Sequence, residues 1–321
     1  MTQAIKRLAA ATVWMCAISC STAAPPDSGG DAAAGDAAID ELDAAVAVTD
    51  AAVAVIDGGP LPPQTTRLRI INRCSEPIWM AHSANVPFPQ NLRLDPGQFH
   101  DYAIAASGLA SARFWPKTGC DASGHACRIG DSGEGGGAPC GPGGCQPPID
   151  SKFEATFAAV GSAAATFYNL SLVDGFTLPF SVTPVGAGAG QGSCTTSDCS
   201  GLRLDVCPAH EALIDRDLRV RDPGNAGRTI ACLSPCKAWN YPAPYGLGRA
   251  ESKDPGRHMC CPAPMTPEAC RNAADPLSVV HTSYVAAVHA GCPTAYSYSY
   301  DDAAGLHACP SSTAFAVTFC G

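Results

Sequence analysis

The chain reads as a mainly β domain, stapled by disulfides and built for an oxidising compartment outside the cytoplasm. Three observations predict this. Apolar residues recur at period two near both ends of the body and in its middle: Leu68 and Ile70; Tyr168, Leu170 and Leu172; Phe315, Val317 and Phe319. The 18 cysteines among 321 residues suit a covalent framework better than a reducing cytosol. Finally, 32 glycines and 28 prolines against 7% aromatic residues mark a chain of many turns and short elements.

Taken in order, Lys6 and Arg7 precede the apolar run Leu8 to Ile18, too short to span a bilayer and suited to a signal-peptide core. Cleavage after Thr22-Ala23-Ala24 would remove residues 1–24. Ala17-Ile18-Ser19-Cys20 also resembles a bacterial lipoprotein signal, in which Cys20 would carry the lipid and give the protein its one contact with a membrane. Residues 25–65 hold eight acids (Asp27, Asp31, Asp36, Asp40, Glu41, Asp43, Asp50, Asp57) and no lysine or arginine. They supply most of the net charge of −9, so this Ala/Asp/Gly stretch reads as a disordered, self-repelling tether. The body is close to neutral and has no basic run of the kind that nucleic acid requires.

Sixteen cysteines, from Cys74 onward, remain for the body, residues 66–321. It opens with a strand at Leu68 and Ile70, continues through Ile78-Trp79 and turns at Asp95-Pro96-Gly97-Gln98. A strand over 166–173 has Asn169 and Ser171 on its polar face, and Asp174-Gly175 ends it as a turn. Alone, that stretch reads as a turn cap; a carboxylate at a strand end is also a common place for a functional acid. Near the end, Leu277, Val280, Tyr284 and Val288 stand at helical spacing, predicting a helix from about Pro276 to His289. The first and last strands could neighbour each other, and a Cys74 to Cys320 bridge would then close almost the whole domain.

Several strings carry a resemblance: Ile71-Asn72-Arg73-Cys74, Arg113-Phe114-Trp115-Pro116-Lys117-Thr118-Gly119-Cys120, Cys127-Arg128-Ile129-Gly130-Asp131, Ser171-Leu172-Val173-Asp174-Gly175-Phe176, Cys260-Cys261, Cys292-Pro293-Thr294-Ala295-Tyr296-Ser297-Tyr298 and Val317-Thr318-Phe319-Cys320. With the order of the sixteen cysteines, they make the stretch from about Thr66 to Cys320 resemble the thaumatin-like family. The resemblance implies a β-sandwich core (66–117, 148–199, 293–321), disulfide-rich lobes at 118–147 and 200–292, and an acidic cleft. It also implies the pairs Cys74 with Cys320, Cys120 with Cys127, Cys140 with Cys145, Cys194 with Cys309, Cys199 with Cys292, Cys207 with Cys232, Cys236 with Cys260, and Cys261 with Cys270. Ser132 stands where the family has a cysteine, and Cys140 follows a Gly-rich insertion, Gly133 to Gly137.

In antifungal members the cleft is built by an arginine, a glutamate and three aspartates, which fall here on Arg113, Glu154, Asn169, Asp174 and Asp302. Strand alternation agrees in part, since burial of Phe153 and Phe157 turns Glu154 outward. If their segment stays extended, Tyr296, Tyr298, Tyr300 and Asp302 share a face, with Tyr298 offering an aromatic surface. Carboxylates and amides that take up sugar hydroxyls, beside rings that sugars stack on, predict a polysaccharide ligand of the β-1,3-glucan kind. The family's acid and its nucleophile or base correspond to Glu154 and Asp174, which predicts a slow endo-β-1,3-glucanase as the alternative. Asn169 ranks binding above hydrolysis, because an amide withdraws a negative charge from beside the general acid. A third reading is an inhibitor or protein-interaction module using the loop at 133–144. No cofactor is expected. Nor is a metal: His281 and His289 are eight apart without a third ligand. The protein is expected to be a monomer.

Overall fold

The computed structural model describes residues 61–129, 149–243 and 245–321, together with the backbone of a short strand at Ala54–Val55. Residues 1–24 with Cys20, most of the 25–65 tether, and the segment 130–148 with Cys140, Cys145 and the Gly-rich insertion lie outside the described residues.

In chain order the first strands are β1 (Ala54–Val55), β2 (Leu68–Asn72), β3 (Ile78–His82), β4 (Leu92–Leu94), β5 (Gln98–Tyr102) and β6 (Leu109–Thr118). Next come β7 (Lys152–Phe157), β8 (Thr166–Ser171), β9 (Gly175–Phe176), β10 (Phe180–Val185) and β11 (Ser197–Asp198). A hairpin of β12 (Arg219–Asp222) and β13 (Asn225–Leu233) leads into short helices α1 (Pro235–Asn240), α2 (Gly256–Cys260) and α3 (Pro267–Cys270), then α4 (Ser283–Gly291) and α5 (Asp302–Gly305). Strands β14 (His307–Cys309) and β15 (Ala314–Phe319) close the chain.

Among the described residues the strands make two six-stranded sheets, β1-β5-β2-β15-β10-β11 and β14-β8-β7-β6-β3-β4, and a small sheet β12-β13-β9. The large sheets face each other. Phe315 of β15 packs within 5.9 Å of Phe153 and Phe157 and 4.8 Å of Tyr168, across the gap between them. That gap is the core, filled at period two by Leu68, Ile70, Phe114, Phe153, Leu170, Val317 and Phe319, all fully buried. The first and last long strands pair in parallel, Leu68 opposite Phe315 through Asn72 opposite Phe319, and Cys74–Cys320 ties their ends.

The same strand shows what alternation conceals. Arg67 and Arg69, polar partners in the pattern, are buried alongside Leu68. Arg69 reaches both oxygens of Asp101 at 2.6 Å and the Pro62 carbonyl at 2.6 Å, while Arg67 donates to the carbonyls of Ala158 and Ser311. The guanidinium groups are tolerated there because all the nitrogens of Arg69 and all but Nε of Arg67 find acceptors.

The helix expected from about Pro276 to His289 starts later. Thr282 caps α4 by accepting from Val285 N–H, and residues 279–281 form only a 3₁₀ turn. Thr282 is extended, which a continuous helix excludes. Leu277 is left exposed, whereas Tyr284 and Val288 pack inward. Seven disulfides close among the described cysteines. Three of them, Cys207–Cys232, Cys236–Cys260 and Cys261–Cys270, cross-link the stretch that carries β12–β13 and α1–α3. Cys194–Cys309 and Cys199–Cys292 tie chain segments far apart in sequence, and Cys120–Cys127 closes a short loop.

Candidate functional site

Register brings three of the candidate residues into one row. Arg113 of β6 lies opposite Glu154 of β7, which lies opposite Asn169 of β8. Their neighbours Phe114, Phe153 and Leu170 fill the core, so the three polar side chains project from the other face of the sheet. Arg113 Nε sits 3.0 Å from Glu154 Oε1. Asn169 Oδ1 is shielded from solvent and accepts no hydrogen bond among the described residues, which leaves an amide with capacity for a donor.

Asp174 follows β8 at the joint between the sandwich and the β12–β13 hairpin. Its carbonyl accepts from Ser234 N–H at 3.2 Å, and Gly175 and Phe176 pair with Leu233 and Cys232. Gly175 is required at this approach: its φ is 146°, and a Cβ would stand 2.3 Å from the Cys232 carbonyl oxygen. The Asp174 carboxylate receives two ammonium groups, Lys152 Nζ at 2.7 Å on Oδ2 and Lys237 Nζ at 3.2 Å on Oδ1. Burial alone would raise its pKa, but Lys152 and then Lys237 outweigh that and hold the carboxyl well below the usual range. Neither lysine was a candidate from sequence. Lys152 shares the outward face of β7 with Glu154, a signal that alternation offered, whereas Lys237 on α1 carries none.

Tyr296 continues the sheet beyond β8: its N–H donates to the Leu170 carbonyl and its carbonyl accepts from Leu172 N–H, at 2.9 and 2.8 Å. Its hydroxyl donates to Asp302 Oδ1 at 2.7 Å, and its ring lies against Gly305, where a Cβ would stand 2.2 Å from Cδ2. Burial pushes this hydroxyl's pKa up, helped by Asp302 and by the nearby charges of Glu154 and Asp301. Pairing beside Ser171, two residues along β8 from Asn169, sets Tyr296 and its partner Asp302 at the end of the Arg113–Glu154–Asn169 row. The extended run expected from Tyr296 to Asp302 does not form. Asp301 Oδ2 accepts from Ser297 N–H and Oγ, the chain turns at Tyr300 with φ 70°, and Asp302 begins α5. Tyr298 consequently points into the core at 7% exposure, and burial pushes its hydroxyl up to about 12. Tyr296, not Tyr298, is the ring in contact with the acidic group.

Of the three carboxylates, Glu154 thus stands beside Arg113, Asp174 beside Lys152 and Lys237, and Asp302 beside the Tyr296 hydroxyl. Each carboxylate already accepts from a donor of the fold. Among the described residues the grouping with metal-ligand proximity is Cys236, Glu251 and Cys260, but its two sulfurs are joined in a disulfide and offer no thiolate.

A β-sandwich that carries this row on its outward face and is joined at Asp174 to a disulfide-tied lobe defines a cystine-rich class of protein. The thaumatin family model matches residues 72–321. A protein of Prunus avium named glucan endo-1,3-beta-glucosidase is 35% identical over 213 residues, covering 65% of this chain and 71% of its own. Thaumatin-like protein 1 of Prunus persica is 33% identical over 261 residues, 79% of this chain and 89% of its own. A solved thaumatin-like xylanase inhibitor covers 80% of this chain and all of its own at 13% identity, with a TM-score of 0.32. The chain belongs to the thaumatin family.

Proposed function

We propose that this protein, exported and either released or anchored through Cys20, binds a β-1,3-glucan along the Arg113–Glu154–Asn169 row, with Tyr296 and Asp302 at its edge. The observation that carries the reading is the row itself, a guanidinium, a carboxylate and an unpartnered amide in register on the outward face of the sheet. Such an alternation of donors and acceptors matches sugar hydroxyls, which donate and accept together. The name of the Prunus avium relative supports glucan as the ligand class. Seven disulfides suit an oxidising compartment.

That relative's name also favours a second reading, hydrolysis by Glu154 and Asp174. Against it stands the occupancy of Asp174. A nucleophile or base must donate an electron pair to the anomeric carbon or take a proton from a water, and the ammonium group on each Asp174 oxygen stabilises the carboxylate and weakens it in either role. Binding without cleavage is therefore the stronger reading.

Retention on insoluble β-1,3-glucan, with reducing-end release followed in parallel, separates the two. Glu154→Gln removes the charge that holds Arg113 and is expected to weaken retention by about tenfold, the effect of one charge-assisted hydrogen bond. No reducing ends should appear. Retention unchanged in both Glu154→Gln and Asp302→Asn would remove the row from the site. Sugar release that vanishes with Glu154→Gln would establish hydrolysis instead.

A further inference from the structure

The two ammonium groups on Asp174 come from different parts of the fold. Lys152 belongs to β7 of the sandwich, two residues before Glu154 on the same face and so about 7 Å along the strand from it. Lys237 belongs to α1, beyond the β12–β13 hairpin. Both ends of α1's first turn hang on Asp174. Ser234 donates its N–H to the Asp174 carbonyl, and its Oγ accepts from Lys237 N–H at 3.2 Å as the helix cap. The Lys237 ammonium then returns to the Asp174 side chain.

We propose that Lys152 and Lys237 are positioning residues of the glucan site, acting through Asp174 to seat α1 against β7 at the edge of the Arg113–Glu154–Asn169 row. This rests on the binding reading above. The charges are arranged for such a role. The Lys152 side chain is 4% exposed and Asp174 is 21% exposed, so the contact is shielded from the water that weakens surface pairs. Two phenols also face the carboxylate, and the buried acid Asp150 lies near one of them, Tyr241. Tyr241, at the end of α1, lies with its ring 5.6 Å from Lys237 Nζ. Tyr284 of α4 donates its hydroxyl to the Leu172 carbonyl at 2.5 Å. Both hydroxyls are raised, first by burial and then by Asp174, and Tyr241 also by Asp150. Neither competes with the lysines for the negative charge. A carboxylate with one ammonium removed keeps its burial but loses part of what keeps it ionised, so it takes up a proton at higher pH.

The test compares wild type, Lys237→Met and Lys237→Arg. Affinity for a soluble β-1,3-glucan oligosaccharide is measured by calorimetry from about pH 4 to pH 8, and the Asp174 carboxyl carbon is followed by NMR from about pH 8 down to about pH 1, since its wild-type midpoint lies below the usual carboxylate range. Lys237→Met is expected to bind about tenfold more weakly at neutral pH and to lose further affinity on acidification, with Asp174 titrating at a higher midpoint than in wild type. Lys237→Arg keeps the charge and should stay within about threefold of wild type. Wild-type affinity and pH profile in Lys237→Met would overturn the proposal, as would an unchanged carboxyl midpoint. The carboxyl titration needs no sugar, so it decides whether Lys237 acts on Asp174 even if the wild-type protein binds no glucan, a result that would instead refute the binding reading.

Discussion

Replacing Asp174 by Asn isolates the charge at the centre of the joint. The amide has nearly the shape of the carboxylate and can still accept one hydrogen bond, but it leaves Lys152, at 4% exposure, without its counter-ion. Removing one member of a buried pair costs about 3–5 kcal/mol, because the surviving charge stays desolvated. Asp174 is 21% exposed, so the lower end, about 3 kcal/mol, is expected at neutral pH. For a domain of this size that corresponds to a melting temperature lower by about 6–12 °C. The pH dependence follows from linkage. Folding depresses the Asp174 pKa, so its contribution is complete above the unfolded carboxyl value near 4 and declines as pH falls below that towards the folded value. Urea unfolding of both proteins under non-reducing conditions should thus show the full difference at pH 7 and a smaller one at about pH 2–3. A loss under about 1 kcal/mol at pH 7, or a difference that grows on acidification, would refute the reasoning.

Further consequences concern the scaffold. In Cys74→Ser/Cys320→Ser the unfolded chain regains a loop that Cys194–Cys309 already shortens to roughly 130 residues, worth about 5 kcal/mol in the chain-entropy model; urea unfolding measures it, and a loss near zero would show that the β2–β15 pairing alone holds the ends. Tyr284→Phe strips the hydroxyl that meets the buried Leu172 carbonyl and should cost about 1–3 kcal/mol by the same assay. Gly175→Ala places a Cβ against the Cys232 carbonyl and should cost more than about 3 kcal/mol or reduce folded yield; a normal yield with wild-type melting would contradict the tight approach of β9 to β13.

Much of the sandwich was legible in the residues. Period-two runs such as Phe153, Ala155 and Phe157 declare a strand and its core face whatever lies opposite, because successive side chains of any strand leave on opposite sides. That was enough to turn Glu154 outward. It was not enough to place Arg113 and Asn169 beside Glu154: adjacency depends on register between strands 41 and 15 residues apart, and composition carries no record of register. The five cleft positions came from the family resemblance, and so did the order in which the cysteines pair.

Other features belong to the folded chain alone. Lysine at 152 and 237 reads in sequence as a solvated surface charge; Lys152 reaches Asp174 because the β7–β8 register sets it opposite Ser171, and Lys237 because β9 pairs with β13 and carries α1 to the strand end. Tyr296 and Asp302 meet because Ser297 and Asp301 bond to each other and bend a segment whose residue types would equally suit a strand. The sequence by itself determined which faces are apolar and that many cysteines must be bridged, since both follow from local periodicity and composition. Tertiary structure decided which charges share a carboxylate, because that depends on distances between segments that only packing brings together.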